Sequence, residues 1–167
     1  MFQNVLRRYF APRTLKIALY FTDARALAIP HVTRPFAIPE AIFPGVDCYS
    51  LNTVEIGQTI KQAVQQCAFK RSKGPKLDLL QSVGWFEAEM DKFREANELT
   101  ERQFHQQLRL VDIELAKNQY LFWPQKRTQR RFAFEAACKS EGRSSSPEDT
   151  EAALLGEIIL KVMARSS

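Results

Sequence analysis

Residues 54–67 read "VEIGQTIKQAVQQC", an amphipathic helix pattern with Ile56, Ile60, Ala63 and Cys67 on one face and a glycine one turn inside its start. Glycine within a helix costs roughly 1 kcal/mol relative to alanine, so Gly57 needs a reason. Residues 154–166, "LLGEIILKVMARS", repeat the feature. Aligned on glycine, Gly57 coincides with Gly156, Ile60 with Ile159 and Val64 with Met163. Two such helices point to a backbone that a neighbour must approach closely, either a sheet or the counterpart helix. A phosphate cradle would instead need a glycine-rich loop ahead of each helix, and neither has one.

Working outward, "RTLKIALYFTDARALAIP" alternates Ile17, Leu19 and Phe21, then Leu27 and Ile29, and predicts two short strands around a turn at Thr22 and Asp23. Pro30, Pro35, Pro39 and Pro44 exclude helix from the following stretch. "VDCYSL" predicts a further strand, and Asn52 with Glu55 predicts a capping box for the first helix. After a basic loop broken at Gly74-Pro75, a second helix is expected over 77–96, with Leu79, Val83, Phe86, Met90 and Phe93 as its core stripe. Thr100 can cap a short third helix. "LRLVDIEL" and "QYLFWP" around "AKN" predict a hairpin, and "RFAFEA" another strand. Residues 139–147 read as a flexible polar linker. Ser146-Pro147 is then expected to open the last helix. The inventory predicts a single domain over 1–167 of the α/β (α+β) class, with a mixed, largely antiparallel sheet of about six strands and three to four helices.

The 167 residues are 45% hydrophobic and 26% charged, which suits a globular chain and contains no apolar run long enough to span a membrane. Arg7, Arg8, Arg13 and Lys16 lie in an acid-free beginning, but no small-residue cleavage pattern follows an apolar core, and a cytoplasmic protein is expected. Cys48, Cys67 and Cys138 are odd in number and widely spaced, which argues against a disulfide framework or a zinc site. His31 and His105 stand apart, and no HExxH, GxSxG or P-loop pattern occurs. The expectation is a protein that is not an enzyme, with neither metal nor cofactor.

Charge placement says more than the net charge of +5. Glu87, Asp91 and Glu95 recur at i, i+4 and i+8 on the second helix, and Glu98 would extend the row if the helix continued. Like charges so spaced destabilise a helix by roughly 0.2–0.5 kcal/mol per pair, and acids near a C-terminus oppose the helix dipole. Such a row suits a cationic partner; its plainer reading is a solvated face tempered by Lys92, Arg94 and Arg102. Trp85, beside the core stripe, is either an exposed anchor or a half-buried core residue. The opposite pole is Lys126, Arg127, Arg130 and Arg131 among Trp123, Phe132 and Phe134. Interleaved cations and rings are what a single-stranded nucleic-acid binder uses, although Phe132 and Phe134 also alternate as strand-core residues do.

The order of these parts resembles the immunity proteins of bacterial contact-dependent growth inhibition (CDI). The resemblance is carried by "LNTVEIGQTIKQAVQQC", "VGWFEAEMDKFREANELTERQF", "LRLVDIELAKNQYLFWPQK" and "EAALLGEIILKVMARS", across roughly residues 46–167. In place of the family's glycine and aromatic pair after the acidic helix stands "ANEL", and the chain is basic where many such proteins are acidic. The resemblance implies a small cytoplasmic α/β protein that neutralises the toxin domain of a CDI effector, the C-terminal region of a CdiA-type protein and often a nuclease. Glu87, Asp91, Glu95 and Trp85 are the residues expected to meet it.

Overall fold

The computed structural model describes residues 15–32, 40–70, 79–128, 134–136 and 144–167. Two hairpins form its centre. In the first, β1 (Leu15–Phe21) and β2 (Ala26–Val32) are joined through Thr22, whose Oγ1 accepts the N–H groups of Ala24 and Arg25, both at 3.3 Å. In the second, β5 (Arg109–Ala116) and β6 (Gln119–Arg127) are joined at Lys117 and Asn118, with φ of 50° and 59°. Two consecutive positive φ values match the twist of a tight hairpin turn.

All strand pairs are antiparallel, and β1 lies against β5 with Ala18 opposite Asp112. Short strands line both edges: β3 (Glu40–Ala41) and β4 (Val46–Cys48) share the free side of β2, while β7 (Phe134–Ala136) and β8 (Ser144–Pro147) share that of β6. Among the described residues, eight strands thus fill six positions. Proline explains the division. On its edge side β2 is in register with its neighbours at 26–28 and 31–32, while Pro30 gives only its carbonyl, which accepts the Ile42 N–H at 2.8 Å; β6 is in register at 119–122 and 125–127 but not at Pro124. A residue without an N–H fits where the ladder is interrupted.

The two halves are related by a pseudo-two-fold axis between β1 and β5. Ile17 faces Pro30 as Val111 faces Pro124, and each hairpin leads on to an edge strand and then a glycine-bearing helix. Those helices, α1 (Thr53–Lys70) and α4 (Ala152–Met163), lie together on one sheet face. Ile17, Leu19, Phe21, Val111, Ile113, Tyr120 and Phe122 point at them and meet Ile56, Ile60, Cys67, Leu155, Ile159 and Val162, all buried. The alternate residues Ala18, Tyr20, Leu27, Ile29 and Leu110 face α2 (Leu79–Ala96) and α3 (Glu101–Gln107), so helices cover both faces.

The glycines make the α1–α4 crossing possible, and of the two neighbours their pattern allowed, sheet or counterpart helix, it is the helix. A Cβ built on Gly57 would overlap the carbonyl oxygen of Ala152, and one on Gly156 that of Thr53. Each glycine therefore accommodates the first turn of the other helix, reciprocally.

Several expectations need correcting. Asn52 Oδ1 caps α1 by accepting the Glu55 N–H at 2.9 Å, but the Glu55 carboxylate takes the Ser50 N–H at 3.1 Å and not that of Asn52. Residues 144–147, expected in the flexible linker and at the start of the last helix, are strand β8, hydrogen-bonded to β6; 139–143 lie outside the described residues. The helix starts at Ala152, because an edge strand tolerates Pro147 at its end and a Ser146–Thr150 hydroxyl bond of 2.5 Å turns the chain first. On α2, Met90 and Phe93 are buried and Phe86 half-buried, whereas Val83 is 48% exposed. The Phe86 ring lies tilted beside that of Tyr20, with centres 5.7 Å apart. The Leu79 side chain lies outside the described residues.

Helix α2 also stops before Glu98. Leu99 N–H bonds Arg94 O at 3.3 Å and Glu98 N–H bonds Glu95 O at 2.9 Å, with Glu98 at φ 54°. This is a Schellman ending with glutamate in the left-handed position that glycine usually fills. The acidic row accordingly ends at Glu95. Thr100 then caps α3, as expected, and the structure adds a complete capping box with Gln103.

Gly57→Ala should destabilise the protein by about 1–3 kcal/mol in urea denaturation, because backbone and not a flexible side chain must yield. Gly84→Ala, with nothing within 4 Å of a built Cβ, should instead stabilise it by about 1 kcal/mol. Glu98→Gly should raise stability by about 1 kcal/mol by relieving the left-handed backbone; an unchanged urea midpoint would contradict this account of the turn.

Candidate functional site

Helix α2 places its acidic row in solvent because Met90 and Phe93 hold the opposite face against Leu27, Ile29 and Leu110. Glu87, Asp91 and Glu95 are all exposed. Arg94 stands 3.8 Å from both Asp91 and Glu95, so one guanidinium tempers two of the three carboxylates. Glu87 makes no ion pair among the described residues. Such exposed pairs contribute little to stability, and the row keeps its negative field.

Trp85 is 51% exposed, its ring 6.1 Å from that of Phe43. The indole is thus at the surface beside a neighbouring ring.

The inner edge of α2 carries an acid that the periodicity did not single out. Glu89 is 9% exposed, and its carboxylate accepts the Gly45 N–H at 3.2 Å and is paired with Lys92 at 3.2 Å. The burial is tolerable because both oxygens are engaged. Its position beside Met90 and one turn from Phe86 and Phe93, on the core side, is the signal that was available in the sequence. Glu89 forms one wall of a cleft of about 340 Å³ between α2 and the β2–β4 edge, lined also by Arg25, Pro44, Asp47, Tyr49 and Lys92. Partial burial raises the Asp47 pKa, and Glu89 adds to the rise, while Arg25 and Lys92 act against it. Tyr49 is 69% exposed, with the Arg25 guanidinium 5.7 Å from its ring centre.

The basic segment is only partly described. Lys126 is exposed and pairs with Glu135 in the β6–β7 register. Arg127 is half-buried, and its backbone N–H bonds Ser167 O at 2.6 Å. Phe134 turns inward, 6.3 Å from Tyr20, as a core ring. Arg130, Arg131 and Phe132 lie outside the described residues. The rings and cations that the sequence interleaves are thus not all on one surface: Phe134 belongs to the layer beneath α2.

Among the described residues no group of three His, Cys, Asp or Glu side chains could hold a metal ion, and no helix is long and apolar enough to cross a membrane. Cys48 and Cys67 are buried free thiols.

Asp47 supports a pH test. An aspartate whose folded pKa lies above its unfolded one weakens the fold once it ionises. Wild-type protein therefore loses stability as pH rises through the folded value. Asp47→Asn should raise the thermal midpoint at pH 7, and that advantage should vanish below the ordinary aspartate range. An advantage that persisted at low pH would refute the assignment.

No family model matches the chain, and no curated protein matches it by sequence. Solved structures match its fold. A protein of unknown function from Neisseria meningitidis superposes with a TM-score of 0.66 at 13% identity, over 92% of this chain and 96% of its own. The CdiA-CT/CdiI toxin and immunity complex from Yersinia pseudotuberculosis matches with a TM-score of 0.72 at 10% identity, over 92% of this chain and 98% of that one. At such identities the likeness is one of fold. The α+β architecture described above is shared with a component of a toxin and immunity complex.

Proposed function

We propose that this chain is an immunity protein that binds and neutralises the toxin domain of a contact-dependent growth inhibition effector, by stoichiometric occlusion in the cytoplasm. The observation that carries the reading is the exposed acidic face of α2, displayed on a fold shared with a component of a toxin and immunity complex. Helix stability does not call for that face, since like charges at i, i+4 and acids near a C-terminus both work against the helix. On this reading the chain performs no reaction of its own. Its row of carboxylates meets the basic surface by which a nuclease holds nucleic acid, and steers the encounter electrostatically.

Charge steers while desolvated anchors hold. Trp85, exposed and beside the Phe43 ring, is suited to the second role, since a large ring at the surface offers area for a partner to desolvate. The overall charge of +5 does not oppose the reading, because screening confines each field to about 8 Å at physiological salt and the acidic face acts locally.

The test uses the domain encoded at the end of the gene directly upstream. Replacing Glu87, Asp91 and Glu95 with lysine should slow association by about tenfold or more at low salt, with a smaller effect at high salt, and should weaken protection of cells producing that domain. Unchanged association and protection would remove the acidic face from the interface. A wild-type chain that left an equimolar amount of the domain fully active would overturn the function itself.

A further inference from the structure

We infer that the partner lays its main chain across the beginning of α2 at Gly84, in a notch with a glycine floor and with Val83 and Trp85 as its walls. The inference rests on the toxin-neutralising reading and adds to its charged face a point of close backbone contact.

A glycine within a helix needs a reason, and for Gly84 none lies inside the described part of the chain. It stands in the body of α2, well before the turn that ends the helix, so it caps nothing. No glycine among the described residues has a positive φ, so no special backbone conformation calls for it. Packing does not call for it either. A Cβ built on Gly45, Gly57 or Gly156 would crowd Leu27, Ala152 or Thr53 respectively, whereas one built on Gly84 meets nothing within 4 Å. Alanine there would make a better helix. What the glycine keeps clear is therefore room for something outside the chain.

The walls say what kind of occupant fits. Among the described residues the large apolar side chains left in solvent are Tyr49, Val54, Val83, Trp85 and Leu154, and two of these flank Gly84 directly. At 3.6 residues per turn Val83 and Trp85 project about 100° to either side of the glycine, so the helix surface dips between two apolar shoulders. Those shoulders offer area for a protein partner to desolvate, tryptophan most of all. The molecule itself shows what a glycine in such a place receives. At the α1–α4 crossing each glycine makes way for main chain, a carbonyl of the other helix.

Charge decides whose main chain it is. Asp91 and Glu95, at i+7 and i+11, follow Gly84 along the same line of α2, and Glu87 lies one turn on beside that line. All three are exposed, so a segment leaving the notch along the helix runs onto the acidic row. Lysine or arginine on that segment would find in Glu87 a carboxylate with no ion pair among the described residues. A second copy of this chain would instead bring its own Glu87, Asp91 and Glu95 to the same face, and like charges oppose that pairing. The occupant is a basic segment of the toxin domain.

The experiment measures affinity for the domain encoded directly upstream, with urea denaturation of each variant beside it. Gly84→Ala should raise the urea midpoint and yet weaken binding by about tenfold, and Gly84→Leu, by filling the notch, should weaken it by about a hundredfold. Gln62→Leu, at an exposed position of α1 on the other side of the sheet, should leave affinity unchanged and controls for an added surface leucine. Wild-type binding that Gly84→Ala and Gly84→Leu leave unchanged, or that Gln62→Leu weakens equally, overturns the notch while the immunity reading stands. So does sedimentation in which Gly84→Leu breaks a wild-type dimer and affinity for the domain is intact. No binding by the wild type overturns both.

Discussion

Two helices cross at a distance that only glycine permits, and the rest of the architecture is arranged around that crossing. Gly57 receives the carbonyl of Ala152 and Gly156 that of Thr53, so the first turns of α1 and α4 lock reciprocally. With their starts pinned, their apolar stripes run side by side over the same sheet face. The helix-propensity penalty of two glycines, about 1 kcal/mol each, is small beside the apolar surface that the close approach buries. It also explains why the two helices share a syntax. They are the equivalent ends of two similar halves, each a hairpin followed by an edge strand and a helix, meeting about an axis between β1 and β5.

That near-symmetry is broken once, and the break is where the candidate surface lies. The first half continues into α2 and α3, which cover Tyr20, Leu27, Ile29 and Leu110 on the other sheet face. Because α2 is anchored by Met90 and Phe93 near its C-terminal end, its opposite side and its beginning project into solvent with Glu87, Asp91, Glu95 and Trp85. The same anchoring brings Glu89 over the loop before β4 and forms the cleft. Packing that serves the core thus also sets the spacing between the acidic row, the buried carboxylate and the two exposed rings.

Much of this was legible in residue order. The two central hairpins, the largely antiparallel character, three to four helices and a close backbone approach at the two glycines follow from periods of two and 3.6, from turn chemistry and from a penalty that needed a reason; that the glycines meet each other's helix and not the sheet came from the structure. The edges were less legible. Ser146-Pro147 carries a helix-start signal, yet those residues pair with β6, because a free sheet edge outweighs a local preference. Val83 fits the apolar stripe of α2 and is nonetheless exposed, because a stripe says which face turns inward and not how far the surface beneath extends.

The candidate site divides along the same line. Sequence alone determined the acidic row, since i, i+4 spacing on one helix is a local property, and it marked Trp85 as either anchor or core. Only the tertiary structure decided that Trp85 is exposed, that the row ends at Glu95 in a left-handed turn at Glu98, and that Glu89 is the buried acid. Only it brought Asp47 and Tyr49 of the β4 region beside an acid of α2. Those contacts join segments far apart in the chain, and the docking of a helix on a sheet, which creates them, is set by the complementarity of whole surfaces and not by the pattern within either segment.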